Sequence, residues 1–140
     1  MSKVAVVYWS QTGNTEAMAN AVAEGITSAG GEAALINAGD FDPGAVTEYD
    51  AIAFGCPSMG VEVLEESVFQ PMWDEVKGSL AGKKIALFGS YGWGDGAWMR
   101  DWEEDCKSAG IELATESVMA NEAPGDDETK ECKELGKALV

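Results

Sequence analysis

Three segments of this chain are apolar almost without interruption and without alternation: KVAVVYW (3–9), AIAFGC (51–56) and KKIALFGS (83–90). A strand with one wet face alternates polar and apolar residues. An unbroken β-branched run instead marks a strand covered on both faces, as in a parallel sheet flanked by helices. After the first run the spacing turns helical from Asn14, with Met18, Val22 and Ile26 four apart, Ala21 and Ala29 beside them, and Gly30-Gly31 as a stop. Residues 33–37 read as a short strand, 39–48 as a turn-rich connection and 69–76 as a helix with Pro71 in its first turn. Residues 97–109 read as an amphipathic helix, 111–119 as an edge strand, and 126–139 as a closing helix with Cys132, Leu135 and Leu139 as its stripe. Five strands alternating with four or five helices predict an α/β domain with helices on both faces of a parallel sheet. The 140 residues suit one domain, 1–140. Ligands in such sheets sit beyond the carboxyl ends of the strands, so the loops there carry the function.

Composition narrows the chemistry. Nine basic against 25 acidic residues give a net charge of −16, which repels nucleic acid and anionic membranes and attracts basic protein surfaces. The chain has no histidine, which removes Ser-His-Asp and Cys-His nucleophiles, His-ligated zinc and imidazole acid-base pairs. Its three cysteines, Cys56, Cys106 and Cys132, are odd in number and lack C-x-x-C spacing, so reduced thiols in a cytoplasmic protein are expected, with no metal cluster. The start lacks signal-peptide character, and no segment nears the roughly 18 apolar residues of a spanning helix.

Three loops follow the buried strands. Ser10-Gln11-Thr12-Gly13-Asn14-Thr15 offers hydroxyls, amides and helix-opening N–H groups to an anion, but no lysine or arginine. It therefore fails the nucleotide pattern G-x-x-x-x-G-K-S/T and suits a terminal monophosphate. The plainer reading is an N-cap by Asn14 or Thr15. Pro57-Ser58-Met59-Gly60-Val61-Glu62 combines a permissive glycine with a methionine able to lie on a flat ring, or is an ordinary surface turn. Ser90-Tyr91-Gly92-Trp93-Gly94 sets two aromatics among glycines, which reads as a stacking surface better than as core. GWGDGA (92–97) matches the dinucleotide fingerprint formally but follows the wrong strand, with a tryptophan where the backbone should meet pyrophosphate.

Together these loops suit a flat aromatic cofactor ending in one phosphate. YWSQTGNT (8–15), CPSMGVEVLEE (56–66) and GKKIALFGSYGWGDGAWMRDWEE (82–104) resemble the three flavin loops of the short-chain flavodoxins, and the order of elements matches along the chain. The resemblance implies a doubly wound five-stranded sheet of order 2-1-3-4-5, with FMN at the switch between the first and third strands; that placement comes from the family. It implies FMN phosphate on Ser10, Gln11, Thr12, Gly13, Asn14 and Thr15, and the ring between Met59 and Trp93. Pro57, Ser58, Val61, Ser90, Tyr91, Gly92 and Gly94 would complete the site. Glu62 would accept from flavin N3–H. The Gly60 carbonyl would meet N5 once a first electron protonates it, so the turn flips and the half-reduced state is favoured.

The implied function is a low-potential one-electron carrier, not an enzyme, that binds FMN noncovalently and is expected to be monomeric. Its partners would be basic patches on reductases and oxidoreductases. Independently of the family, Glu62, Glu65, Glu66, Asp95 and the net charge disfavour a second electron. The same carboxylates also serve solubility and steering. Two other readings stand beside it: an NAD(P)H-dependent FMN quinone reductase, which needs room over the ring that Trp93 would fill, and a receiver-like signalling domain. The receiver would need a phosphorylatable aspartate and an acidic pair where Cys56 and Ser10-Gln11 stand. Pro57-Ser58 and Val61 depart from the family pattern. Val61, β-branched after the turn glycine, is expected to alter the energetics of the flip relative to a Gly-Asp turn. Asn121 is a ribityl contact or a turn former. Cys56 reads as a packed small side chain rather than a reactive thiol.

Overall fold

The computed structural model describes residues 2–10, 13–59, 63–92 and 94–140. Among these, β1 (Lys3–Tyr8), β2 (Glu32–Asn37), β3 (Ala51–Gly55), β4 (Lys84–Tyr91) and β5 (Val118–Asn121) pair in parallel in the order β2-β1-β3-β4-β5. The helices are α1 (Asn14–Ser28), α2 (Pro43–Val46), α3 (Phe69–Val76), α4 (Ala97–Ser108) and α5 (Asp126–Ala138).

The missing alternation in the central strands is explained by two cores. Val4, Val6, Ala51, Ala53, Ala86 and Phe88 point to one face, where Met18, Val22 and Ile26 of α1 and Cys132 and Leu135 of α5 cover them. Ala5, Val7, Ile52, Phe54, Ile85 and Leu87 point to the other, under Phe69 and Trp73 of α3 and Trp98 and Trp102 of α4. Both parities are buried, so both must be apolar. The second face is aromatic: Phe54 meets Trp73 edge-on at 5.2 Å, and Trp73 meets Trp102 at 5.6 Å.

Two expectations change. The connection over 39–48 contains a short helix, α2, because Asp42 accepts from Ala45 N–H at 3.0 Å and Pro43 stands at the first helical position. The strand expected over 111–119 is confined to Val118–Asn121, with an isolated bridge at Leu113. The reason is a helix stop. Gly110, at φ 78, donates to the Lys107 carbonyl at 3.1 Å and Ile111 donates to the Cys106 carbonyl at 2.8 Å, the paired bonds of a Schellman motif. Ile111 is buried as the apolar plug of that motif and does not begin a strand.

Candidate functional site

The loops beyond β1, β3 and β4 converge on one cavity of about 480 Å³ at the carboxyl edge of the sheet. Ser10, Asn14 and Thr15 line it from the first loop, Pro57, Ser58 and Met59 from the second, and Ser90, Tyr91 and Gly92 from the third. Gly13 and Gly94 are not among the lining residues. Gln11, Thr12, Gly60, Val61, Glu62 and Trp93 lie outside the described residues.

At the first loop, neither Asn14 nor Thr15 caps α1. Gly13 holds the cap position at φ 95, a conformation glycine adopts without steric cost, and contributes no side chain. Ser10 supplies the acceptor, its Oγ taking N–H groups from Gly13 at 3.2 Å and Glu16 at 3.3 Å. Both hydroxyl lone pairs are then engaged, which leaves the Ser10 proton to donate to a ligand. Asn14 and Thr15, freed from capping, face the cavity. Thr15 Oγ1 and Ser90 Oγ are 2.9 Å apart and buried. Two hydroxyls sharing one hydrogen bond retain one proton for a third group.

The second loop is fastened to β4 beyond the strand, Cys56 N–H to the Phe88 carbonyl at 3.2 Å and Ser58 N–H to the Ser90 carbonyl at 2.9 Å. Met59 and Val63 then exchange two backbone bonds, 2.8 and 3.0 Å, as an antiparallel bridge. Cys56 is fully buried, and burial drives its thiol far above the ordinary range, consistent with a packing role. Its carbonyl accepts from Trp98 Nε1 at 3.2 Å, which links the second loop to α4 behind the third.

In the third loop Tyr91 leans on Trp98, ring centroids 5.4 Å apart. Asp95 is paired with Arg100 at 2.9 Å. Glu65, expected among the carboxylates acting on the ring from the surface, is instead 5% exposed and turned into the start of α3. Sequence reasoning missed Glu122 and Ala123, which line the cavity from beyond β5. It named Asn121, whose amide donates to the Tyr91 carbonyl at 3.4 Å. The available signal was positional: the strand that pairs with β4 delivers its following loop to the same edge.

No lysine or arginine lines the cavity among the described residues, and Glu122 is its charged member. Neutral donors at a helix N-terminus suit an anion whose charge is already partly solvated, and the remaining wall of Met59, Tyr91 and Pro57 suits a flat apolar body. The residues present therefore fit FMN.

The flavodoxin family profile matches residues 6–136. This chain belongs to the flavodoxin family. It is 44% identical over 135 residues to the flavodoxin of Clostridium beijerinckii, covering 96% of this chain and 97% of that one. It is equally 44% identical over 137 residues to the flavodoxin of Megasphaera elsdenii, covering 98% of both. The solution structure of two-electron reduced Megasphaera elsdenii flavodoxin superposes with a TM-score of 0.89 at 43% identity, covering 97% of each chain. This flavodoxin is thus an FMN-binding electron carrier, an electron-transfer protein rather than an enzyme. The reductase and receiver readings give way to it. Among the described residues no helix is long and apolar enough to cross a membrane.

Proposed function

We propose that this flavodoxin holds FMN noncovalently in the cavity beyond β1, β3 and β4 and passes single electrons at low potential between larger redox proteins. The observation that carries the reading is the donor set: the hydroxyls of Ser10 and of the Thr15–Ser90 pair each have a proton left for an anion, at the N-terminus of α1 and, among the described residues, with no lysine or arginine in the cavity wall. Ser10, Asn14 and Thr15, with Gln11, Thr12 and Gly13, are the proposed phosphate contacts. Pro57, Ser58, Met59, Ser90, Tyr91 and Gly92, with Gly60, Val61, Glu62, Trp93 and Gly94, are the proposed contacts to the ring and side chain. FMN, when bound, supplies a ring that takes up electrons one at a time. The protein's part is to bury that ring between Met59 and Trp93, hold the phosphate in register and keep water from the ring. The three thiols are buried, so none is presented for covalent attachment. The net charge of −16 favours encounter with basic patches on partner proteins.

The test is stepwise anaerobic dithionite reduction followed by visible absorption. A yellow protein developing a broad long-wavelength band before bleaching supports the carrier reading. Bleaching in one two-electron step, joined to steady-state NADPH oxidation, would overturn it.

A further inference from the structure

The bridge between Met59 and Val63 ties Met59, a proposed ring contact in the cavity lining, to the chain that runs on to α3, and that chain needs an anchor of its own. Glu65 has the means. Its backbone N–H donates to Cys56 Sγ at 3.4 Å, and its carbonyl accepts from Gln70 N–H at 2.8 Å. Its carboxylate turns inward to the start of α3, where Val68 at the cap position offers no side-chain acceptor. Oε1 accepts from Val68 N–H at 2.7 Å and Phe69 N–H at 2.9 Å. Oε2 accepts from Ser67 N–H at 2.8 Å and from the Ser67 hydroxyl. Four donors thus converge on one buried carboxylate at a helix N-terminus, where the orphan N–H groups and the helix dipole both favour negative charge.

The geometry points to Glu65 as a positioning residue for the flavin: an internal anion that locks the chain following the Met59–Val63 bridge to α3, so that Met59 meets the cavity from a fixed base. The inference rests on the reading that Met59 faces FMN. The chemistry requires an acid of this length. A glutamine offers acceptors on one side only and turns its own N–H groups on Ser67 N–H and the Ser67 hydroxyl. An aspartate keeps the charge but is one C–C bond shorter, about 1.5 Å, so with its backbone still on Cys56 it cannot keep all four donors. Nothing in this arrangement uses Glu66, which is exposed next door.

The experiment compares the wild type with Glu65→Gln, Glu65→Asp, Ser67→Ala and Glu66→Gln in three readouts. These are backbone amide exchange at Met59 and Val63 in the apoprotein, FMN affinity, and the separation of the two one-electron midpoint potentials in the reconstituted protein. Glu66→Gln removes the same unit charge one residue away and so measures the purely electrostatic effect. The expected result is exchange at Met59 and Val63 faster by about tenfold or more in both Glu65 variants, about tenfold weaker FMN binding, and a changed separation of potentials in Glu65→Asp, where no charge is lost. Ser67→Ala, which removes one of the four donors and leaves the fold intact, should shift all three readouts in the same direction by less. Exchange and potential separation in Glu65→Asp and Ser67→Ala that match the wild type would overturn the proposal, even if Glu65→Gln fails to fold. Wild-type protein that binds no FMN would sink the functional reading alone, since exchange in the apoprotein still decides whether Glu65 fixes the Met59–Val63 bridge.

Discussion

Thr15 and Ser90 join the first turn of α1 to the end of β4 through hydroxyls 2.9 Å apart, with 1% and 4% of the two residues exposed. Thr15→Val keeps the shape and deletes the hydroxyl, leaving Ser90 Oγ buried without a partner, at a cost of about 1–3 kcal/mol. Ser90→Ala strands Thr15 in the same way. The double variant leaves nothing unpaired and should cost no more than about 1 kcal/mol, which makes the cycle non-additive by at least about 1 kcal/mol. At roughly 3–4 °C per kcal/mol for a chain of this size, each single variant should melt about 3–12 °C lower and the double variant within about 4 °C of the wild type. Thermal melts of the four apoproteins measure this directly. Additivity within about 0.5 kcal/mol would show that the two hydroxyls do not depend on each other. The proposed phosphate contact adds a second arm. A lost hydrogen bond to a charged group is worth about 1.5–3 kcal/mol, so Thr15→Val should weaken FMN binding roughly 10- to 100-fold. Riboflavin, which lacks the phosphate, should bind as before. Equal losses for the two ligands would refute the assignment of Thr15 to the phosphate.

Helices α1 and α5 touch through glycines: a Cβ on Gly136 would lie 2.2 Å from the Val22 carbonyl oxygen. Gly136→Ala gains about 1 kcal/mol in helix propensity but overpacks by about 1–3 kcal/mol or more, so the melting temperature should fall, and a rise would show that the helices part freely. Acid should act through two depressed carboxylates. In Glu65 burial raises the pKa but is outweighed by the bonds from Ser67, Phe69 and Val68, and in Asp105 burial is outweighed by Trp73 Nε1–H and Lys77. A carboxyl whose folded pKa lies below its unfolded value stabilises above the unfolded value, and that contribution is lost as pH falls through the folded one. With 25 acidic residues repelling one another, stability should first rise from pH 7 towards about pH 5 and then collapse below about pH 4; a monotonic rise down to about pH 3 would contradict the assignment. Burial first, then Asp105 and Glu103, push the Cys106 thiol up to about 12, and burial, Glu131 and Glu128 do the same to Cys132. Thiol reagents at neutral pH should therefore label the native protein no faster than it unfolds, and rapid labelling would show that the thiols are open.

The sheet was legible because its central strands bury both parities, so that Val4 to Val7 and Ile85 to Phe88 could only be interior. The order of its strands was not legible from periodicity, which says nothing about neighbours, and came through the resemblance to the family. Residue pattern alone brought the three loops to one edge, since every parallel strand ends there. What escaped depends on bonds between residues that the pattern does not mark. Ser10 caps α1 across the turn from Gly13 and Glu16, so the residues nearest the helix were the natural but mistaken choice. Ile111 looks like the start of a strand, yet closes a helix. Glu122 enters the cavity from an extended ladder, its N–H on the Tyr91 carbonyl at 2.7 Å and its φ at 60, a conformation that composition does not announce.

Charge is where sequence and structure part most instructively. The sequence sets Glu62, Glu65, Glu66 and Asp95 around the ring, but Glu65 spends its charge on four donors inside the protein and Asp95 is paired with Arg100 at 2.9 Å. Glu122 joins them from the cavity wall. A unit charge 4 Å away changes the energy of an added electron by about 1 kcal/mol in water and about 4 kcal/mol near a protein surface. Charges beyond about 8 Å are largely screened at physiological salt. The net charge of −16 is therefore expected to be too diffuse to set the potentials, which should depend on the few carboxylates nearest the proposed ring site. Its effect falls on encounter, where long-range attraction raises association rates with basic partners. The two roles separate on a salt titration. Raising salt from about 10 mM to about 500 mM should slow association with a basic redox protein by about tenfold or more, as the screening length shrinks from about 30 Å to a few ångströms. The separation of the two midpoint potentials should barely move over the same range. Potentials that follow the salt as steeply as the association rate would mean that the whole surface, and not the cavity wall, governs the ring.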